Sequence, residues 1–119
     1  MSLIARILIA VVAFEHLYFL YVEMFRWTSA ATQKAFGLTA EFAQASKTLA
    51  ANQGLYNGFL AAGLVWALLA PPELGKPVAM FFATCVLIAG IFGGLTVVRR
   101  IFFVQALPAA LALLAVLFT

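Results

Sequence analysis

The sequence predicts an all-α membrane protein, an antiparallel four-transmembrane-helix bundle with a surface helical segment between helices 1 and 2. Three observations lead there. Of 119 residues, 66% are hydrophobic and only 9% charged, whereas a soluble domain carries about 25% charged residues. Four apolar runs, 3–25, 49–70, 78–98 and 101–118, each have the length to cross a hydrocarbon core of about 30 Å at about 1.5 Å per residue. These runs are continuous and rich in Ala and Leu rather than alternating, which speaks against strands, and backbone groups in lipid must be satisfied within their own segment. The length allows one domain, 1–119.

Helix one, 3–25, follows Arg6 through a long apolar stretch with no small-residue cleavage site, so it reads as a retained helix and not a signal peptide. It carries Glu15, His16 and Glu23. A charged side chain at bilayer depth costs about 2.5–3.5 kcal/mol on insertion scales, so ionisable groups there are functional candidates. The first connection, 26–48, is the long one. Thr28 and Ser29 can cap a short helix ending near Gly37, and Thr39 can cap a second that can run on into Leu49. Trp27, Phe36, Leu38 and Phe42 interleave there with Lys34, Glu41, Gln44 and Lys47, a mixture suited to lying along a membrane surface.

Helix two, 49–70, starts polar, with Asn52, Gln53, Tyr56 and Asn57. Pro71 to Pro77 reads as a tight turn, because prolines lack the amide hydrogens a helix uses. Helices three, 78–98, and four, 101–118, are joined by little more than Arg99-Arg100, which makes a close antiparallel hairpin. Pro108 loosens helix four and frees a carbonyl near Val104. Gly54 and Gly58, and Gly90 and Gly94, are four apart, the spacing that lets helix backbones approach closely in lipid.

In such a bundle the end of helix one, the start of two, the end of three and the start of four share one leaflet. The candidate pocket there is Glu15, His16, Asn52, Gln53, Tyr56 and Asn57, with Glu23, Arg99 and Gln105 nearer its mouth. Blander roles compete with each. Glu23 can pair with Arg26 at headgroup level, the amides can be interhelical glue, and Arg99 and Arg100 can anchor the topology. Lys and Arg divide into Arg26, Lys34, Lys47, Arg99 and Arg100 against Arg6 and Lys76. That puts the first and third connections in the cytoplasm and both termini outside.

These residues resemble a family of small four-helix bacterial membrane proteins, domain of unknown function 1304. The resemblance rests on Glu15-His16, Glu23-Met24-Phe25 with Trp27, Asn52-Gln53-Gly54-Leu55-Tyr56-Asn57-Gly58, Ala89-Gly90-Ile91-Phe92-Gly93, and Gln105 with Pro108-Ala109. Phe92 stands where the resemblance leads one to expect a tyrosine. It implies a four-helix integral membrane protein and brings no activity with it. A looser similarity, in size and architecture alone, is to four-helix quinone-linked membrane proteins of the DoxX type.

The expected function is binding or transport of a small polar or amphipathic molecule in the polar pocket, with proton coupling through Glu15 and His16 as one form of it. The alternatives are a membrane enzyme or redox accessory acting on a quinone or other lipid-soluble substrate, and a structural subunit. The reading leans away from an enzyme, since no nucleophile motif is present. A lone histidine and the single Cys85 offer neither a metal set nor a redox pair, so no metal and no cofactor are expected. The expected partners are the lipid bilayer, a small-molecule ligand and a second copy in a homodimer. Nucleic acid is not among them, because the basic residues form no stripe.

Overall fold

A computed structural model describes all residues, 1–119, and contains helices and turns with no strand. In order these are α1 Leu3–Phe25, α2 Ala30–Phe36, α3 Ala40–Ala45, α4 Lys47–Leu69, α5 Pro72–Thr96, a π-helical turn Phe102–Ala106, and α6 Leu107–Leu117. By length and apolarity two of them, α1 and α5, could cross a membrane, where the sequence suggested four. Helix α4 is as long as α1, but Asn52, Gln53 and Asn57 dilute its apolar character. The continuous helix Phe102–Leu117 is apolar but shorter. Within the most apolar stretch of α1 and of α5 only 28% is buried. The core helix of a soluble protein would be mostly covered. Here Leu3, Phe14, Phe25, Ile88, Phe92 and Leu95 all stand well exposed, as lipid-facing side chains do.

Local chemistry sets most boundaries. Pro71 to Pro77 is not a turn throughout: α5 begins at Pro72 and runs through Pro77. Proline suits the first helical position, where its missing N–H would be unpaired anyway. The amides of Leu74 and Gly75 bond the Pro71 carbonyl at 2.9 and 2.8 Å. Pro77 deprives only the carbonyl of Glu73, an exposed residue. Ahead of Pro108 the helix widens into the π turn, and the Leu107 amide reaches back to the Phe102 carbonyl. The wide turn relieves the clash of the proline ring with the carbonyl four residues earlier.

The chain forms two compact units, with α1 and α4 each contributing to both. The first comprises Met1–Phe14 and Leu60–Thr119. Its core is drawn from Ala5, Ile9, Val12 and Ala13 of α1, Leu64 and Ala67 of α4, Val78, Ala79, Ala83 and Val86 of α5, and Ala109, Ala112 and Val116 of α6. Alanine dominates because close helix approach leaves little room for more. Gly90 is the extreme case, since a Cβ there would lie 2.5 Å from the Ala106 amide nitrogen and 2.7 Å from its Cα. At the other end of this unit, the Arg6 guanidinium donates to the Leu68 carbonyl at 2.8 Å. It satisfies an acceptor that the end of α4 leaves open.

The second unit is Glu15–Phe59, in which the later half of α1 and the first half of α4 frame α2 and α3. Ser29 caps α2, accepting from the Thr32 amide, and Gly37 ends it at φ 66°. Thr39 caps α3 through the Phe42 amide at 3.0 Å. Helix α3 does not run on into α4, because Ser46 breaks it, donating its hydroxyl to the Phe42 carbonyl at 2.6 Å.

The contacts at Gly90 are backbone atoms that cannot rotate away. At Gly93, by contrast, a Cβ meets only the Ile101 side chain, nearest at 3.0 Å. Gly90→Ala is expected to lower stability by about 1–3 kcal/mol, the cost of overpacking. Gly93→Ala should be near neutral, because the Ile101 side chain can give way. Thermal unfolding in detergent followed by circular dichroism separates the two, and equal effects would show that the close approach at Gly90 is not a constraint.

Candidate functional site: a polar groove in the Glu15–Phe59 unit

In the second unit α1 and α4 approach through glycines. A Cβ on Gly54 would lie 2.8 Å from Met24 Cγ and 3.0 Å from Glu23 Cβ, and one on Gly58 would lie 2.6 Å from Leu20 Cδ1. The small residues bring two polar side chains within reach. Asn57 Nδ2 donates to Glu23 Oε1 at 2.5 Å. Asn57 is only 6% exposed and Glu23 is half-buried. Glu23 is thus held by the amide of the facing helix and not by Arg26, the headgroup-level partner that the sequence suggested. An amide held to a carboxylate in this way contributes about 1.5–3 kcal/mol.

Beside this pair lies an open groove of about 400 Å³, lined by Glu23, Trp27, Phe42, Ser46, Leu49, Ala50, Asn52 and Gln53. Its volume falls in the range of small-molecule sites. Trp27 is fixed by its indole N–H, which donates to Ser46 Oγ at 3.0 Å, and by a tilted contact with the Phe36 ring at 5.7 Å. Ser46 in turn is positioned by the break between α3 and α4. Asn52 and Gln53 are exposed on the first turns of α4. The groove therefore combines a carboxyl, two amides and a hydroxyl with aromatic and aliphatic walls.

The predicted pocket residues fall into several places. Glu23, Asn52 and Gln53 come together on the groove, and Asn57 stands behind them as the partner of Glu23. Tyr56 is 55% exposed, edge-on to Phe59 at 5.7 Å, and does not line the groove. His16 is wholly buried, its ring edge-on to Phe19 at 5.1 Å. Glu15 is half-buried, and its Oε1 is sealed from solvent without a hydrogen-bond partner, an arrangement rare enough in proteins to call for a cause. Neither Glu15 nor His16 lines the groove. Arg99 and Gln105 belong to the first unit, Arg99 exposed in the turn after α5 and Gln105 half-buried within the π turn.

Trp27, Phe42, Ser46, Leu49 and Ala50 were absent from the predicted set. One signal pointed to the tryptophan, since Trp27 follows Glu23 by four residues. Nothing local marks Ser46 as its hydrogen-bond partner 19 positions away.

The profile of the family described as "Protein of unknown function (DUF1304)" matches residues 10–117. The chain is 32% identical over 120 residues to the uncharacterized protein YpaA of Lactococcus lactis subsp. lactis (strain IL1403), covering 99% of this chain and 100% of that one. No solved structure matches.

If the Glu23–Asn57 bond organises the groove, Asn57→Leu leaves a half-buried carboxyl without its donor and should cost about 1–3 kcal/mol. Glu23→Gln keeps an acceptor oxygen and should cost less. Replacing both by leucine should cost less than the sum of the two single leucine changes. Unfolding of the single and double variants in detergent measures this, and simple additivity would mean the two side chains do not interact.

Proposed function

The chain belongs to the DUF1304 family, whose function is unknown, and we propose that it is an integral membrane protein binding a small amphipathic molecule in the groove beside Glu23. One observation carries the proposal. Glu23 is the single ionisable residue lining the groove, it is held in place by a buried amide from the facing helix, and it stands next to Asn52, Gln53 and an aromatic wall. A polar head meets the carboxyl and amides, while Phe42, Leu49 and Ala50 receive the apolar part. Membrane pockets use few polar groups for orientation and apolar walls for affinity. Glu15, with its unpartnered oxygen deeper in α1, is a candidate for proton or ligand contact once a molecule has moved inward.

In this reading α4 and the helix Phe102–Leu117 cross the membrane alongside α1 and α5. Four segments supply the core of the first unit, which supports their common depth. The polar residues that dilute α4 lie where the groove needs them. The sixteen residues Phe102–Leu117 span about 24 Å at 1.5 Å per residue, near the lower limit for crossing. Arg26, Lys34, Lys47, Arg99 and Arg100 then lie on the cytoplasmic side of a bacterial inner membrane, with both termini outside.

Two measurements test this. Native mass spectrometry of the protein released gently from detergent should find a discrete added mass on the wild type that is lost when Asn52 and Gln53 are both changed to Ala. A bare mass in both would overturn the binding role. In a Cys85→Ser background, Lys34→Cys and Glu73→Cys in intact cells should label from opposite sides with a membrane-impermeant maleimide. Labelling of both from one side would overturn the four-crossing topology.

A further inference from the structure

The walls of the groove say more about the head group than that it is polar. We infer that the groove takes the ammonium head of an amphipathic amine, an assignment that rests on the binding role proposed above and names its ligand class. The fixed side-chain donors on or behind the groove are already used inside the protein. The Trp27 indole N–H goes to Ser46 Oγ, the Ser46 hydroxyl to the Phe42 carbonyl, and an Asn57 amide hydrogen to Glu23. What remains on the groove is the Glu23 carboxyl, the side-chain amides of Asn52 and Gln53, each both donor and acceptor, and the rings of Trp27 and Phe42.

An anionic head group, a phosphate or a carboxylate, would need several donors and would have to sit beside Glu23, at a like-charge cost. The only side-chain donors left for it are the amide ends of Asn52 and Gln53. Arg26, Lys34 and Lys47 are near in sequence, but none lines the groove. A cation meets the opposite situation. Its charge is balanced by Glu23, and aromatic faces attract ammonium groups through their quadrupole, most strongly those of tryptophan. Because the indole N–H is occupied, Trp27 is held by its polar edge and offers a ligand its ring. Leu49, Ala50 and Phe42 supply apolar surface for an alkyl chain, and about 400 Å³ accommodates a substituted ammonium with a short one. The same chemistry arrives by two routes, as a free amphipathic amine or as the head of an aminophospholipid.

The test uses the full chain in a non-ionic detergent. The chain has two tryptophans, so Trp66→Phe leaves Trp27 as the sole reporter. Hexyltrimethylammonium, hexanol and hexyl sulfate share a chain and differ in head charge. Hexyltrimethylammonium is expected to give a saturable change in Trp27 fluorescence, with affinity at least tenfold above hexanol, and hexyl sulfate to give none. Glu23→Gln, which keeps an acceptor for Asn57, should weaken hexyltrimethylammonium at least tenfold with little change in melting temperature. Trp27→Leu, followed by calorimetry, should weaken it similarly.

Equal affinity for the three probes, or tighter binding of hexyl sulfate, would overturn the ammonium assignment. If no probe binds while native mass spectrometry still finds an added mass, the ammonium assignment falls and the binding role stands. If neither is seen, both fall. Repeating the titration in nanodiscs of phosphatidylethanolamine and of phosphatidylglycerol identifies the source. Competition by the aminophospholipid alone marks a lipid head group, and equal affinity in the two marks a free amine.

Discussion

A polar side chain on a helix long and apolar enough to cross a membrane has to find its hydrogen bond within the protein. At Glu23 that requirement is met by Asn57, and much of the surrounding unit follows from it. The two side chains are short, so α1 and α4 must run close together. Gly54 and Gly58 make that possible, because any larger residue would meet Met24, Glu23 or Leu20. The amide spent on Glu23 leaves Asn57 buried, and the carboxyl is kept at the edge of the groove instead of turning out toward the nearest arginine.

Two short helices lie between α1 and α4, and the second of them, α3, lends Phe42 to the groove wall. Their caps at Ser29, Gly37 and Thr39 fix where the chain turns, and Ser46 separates α3 from α4. That break makes Ser46 available to hold Trp27. A continuous helix would direct the hydroxyl elsewhere and leave the indole without its acceptor. The groove is a consequence of polar bonds made over short distances, with only thin apolar packing around them.

Those capping residues were legible in the sequence because capping is local, depending on a hydroxyl or a left-handed glycine at the right offset. The apolar runs and the close-approach spacing of the glycines could be read for the same reason. Helix boundaries near prolines were harder. Pro72 and Pro77 look like breakers, yet the first sits where its missing N–H is not needed and the second frees the carbonyl of an exposed residue. Among site residues, Glu23, Asn52 and Gln53 could be placed together from chain order alone. Trp27 and Ser46 could not, because their bond depends on the angle at which α3 meets α4, and no single residue encodes an angle. Glu15 and His16 drew attention by their chemistry, but neither lines the groove.

The π turn at Phe102–Ala106 has a consequence for how this chain can vary in length. A π turn holds one residue more than the α-helical turn it replaces. The wide turn absorbs the surplus, so Ala109, Ala112 and Val116 keep their inward direction despite it. A homologue lacking Pro108 has no ring to accommodate there and can lose one residue from this stretch, closing the helix into regular geometry with its buried face in register. Insertions and deletions of a single residue within a membrane helix normally turn its whole apolar stripe toward the wrong neighbour. Here the fold already contains one such insertion, absorbed at a defined place, and that place is where evolution can take it back.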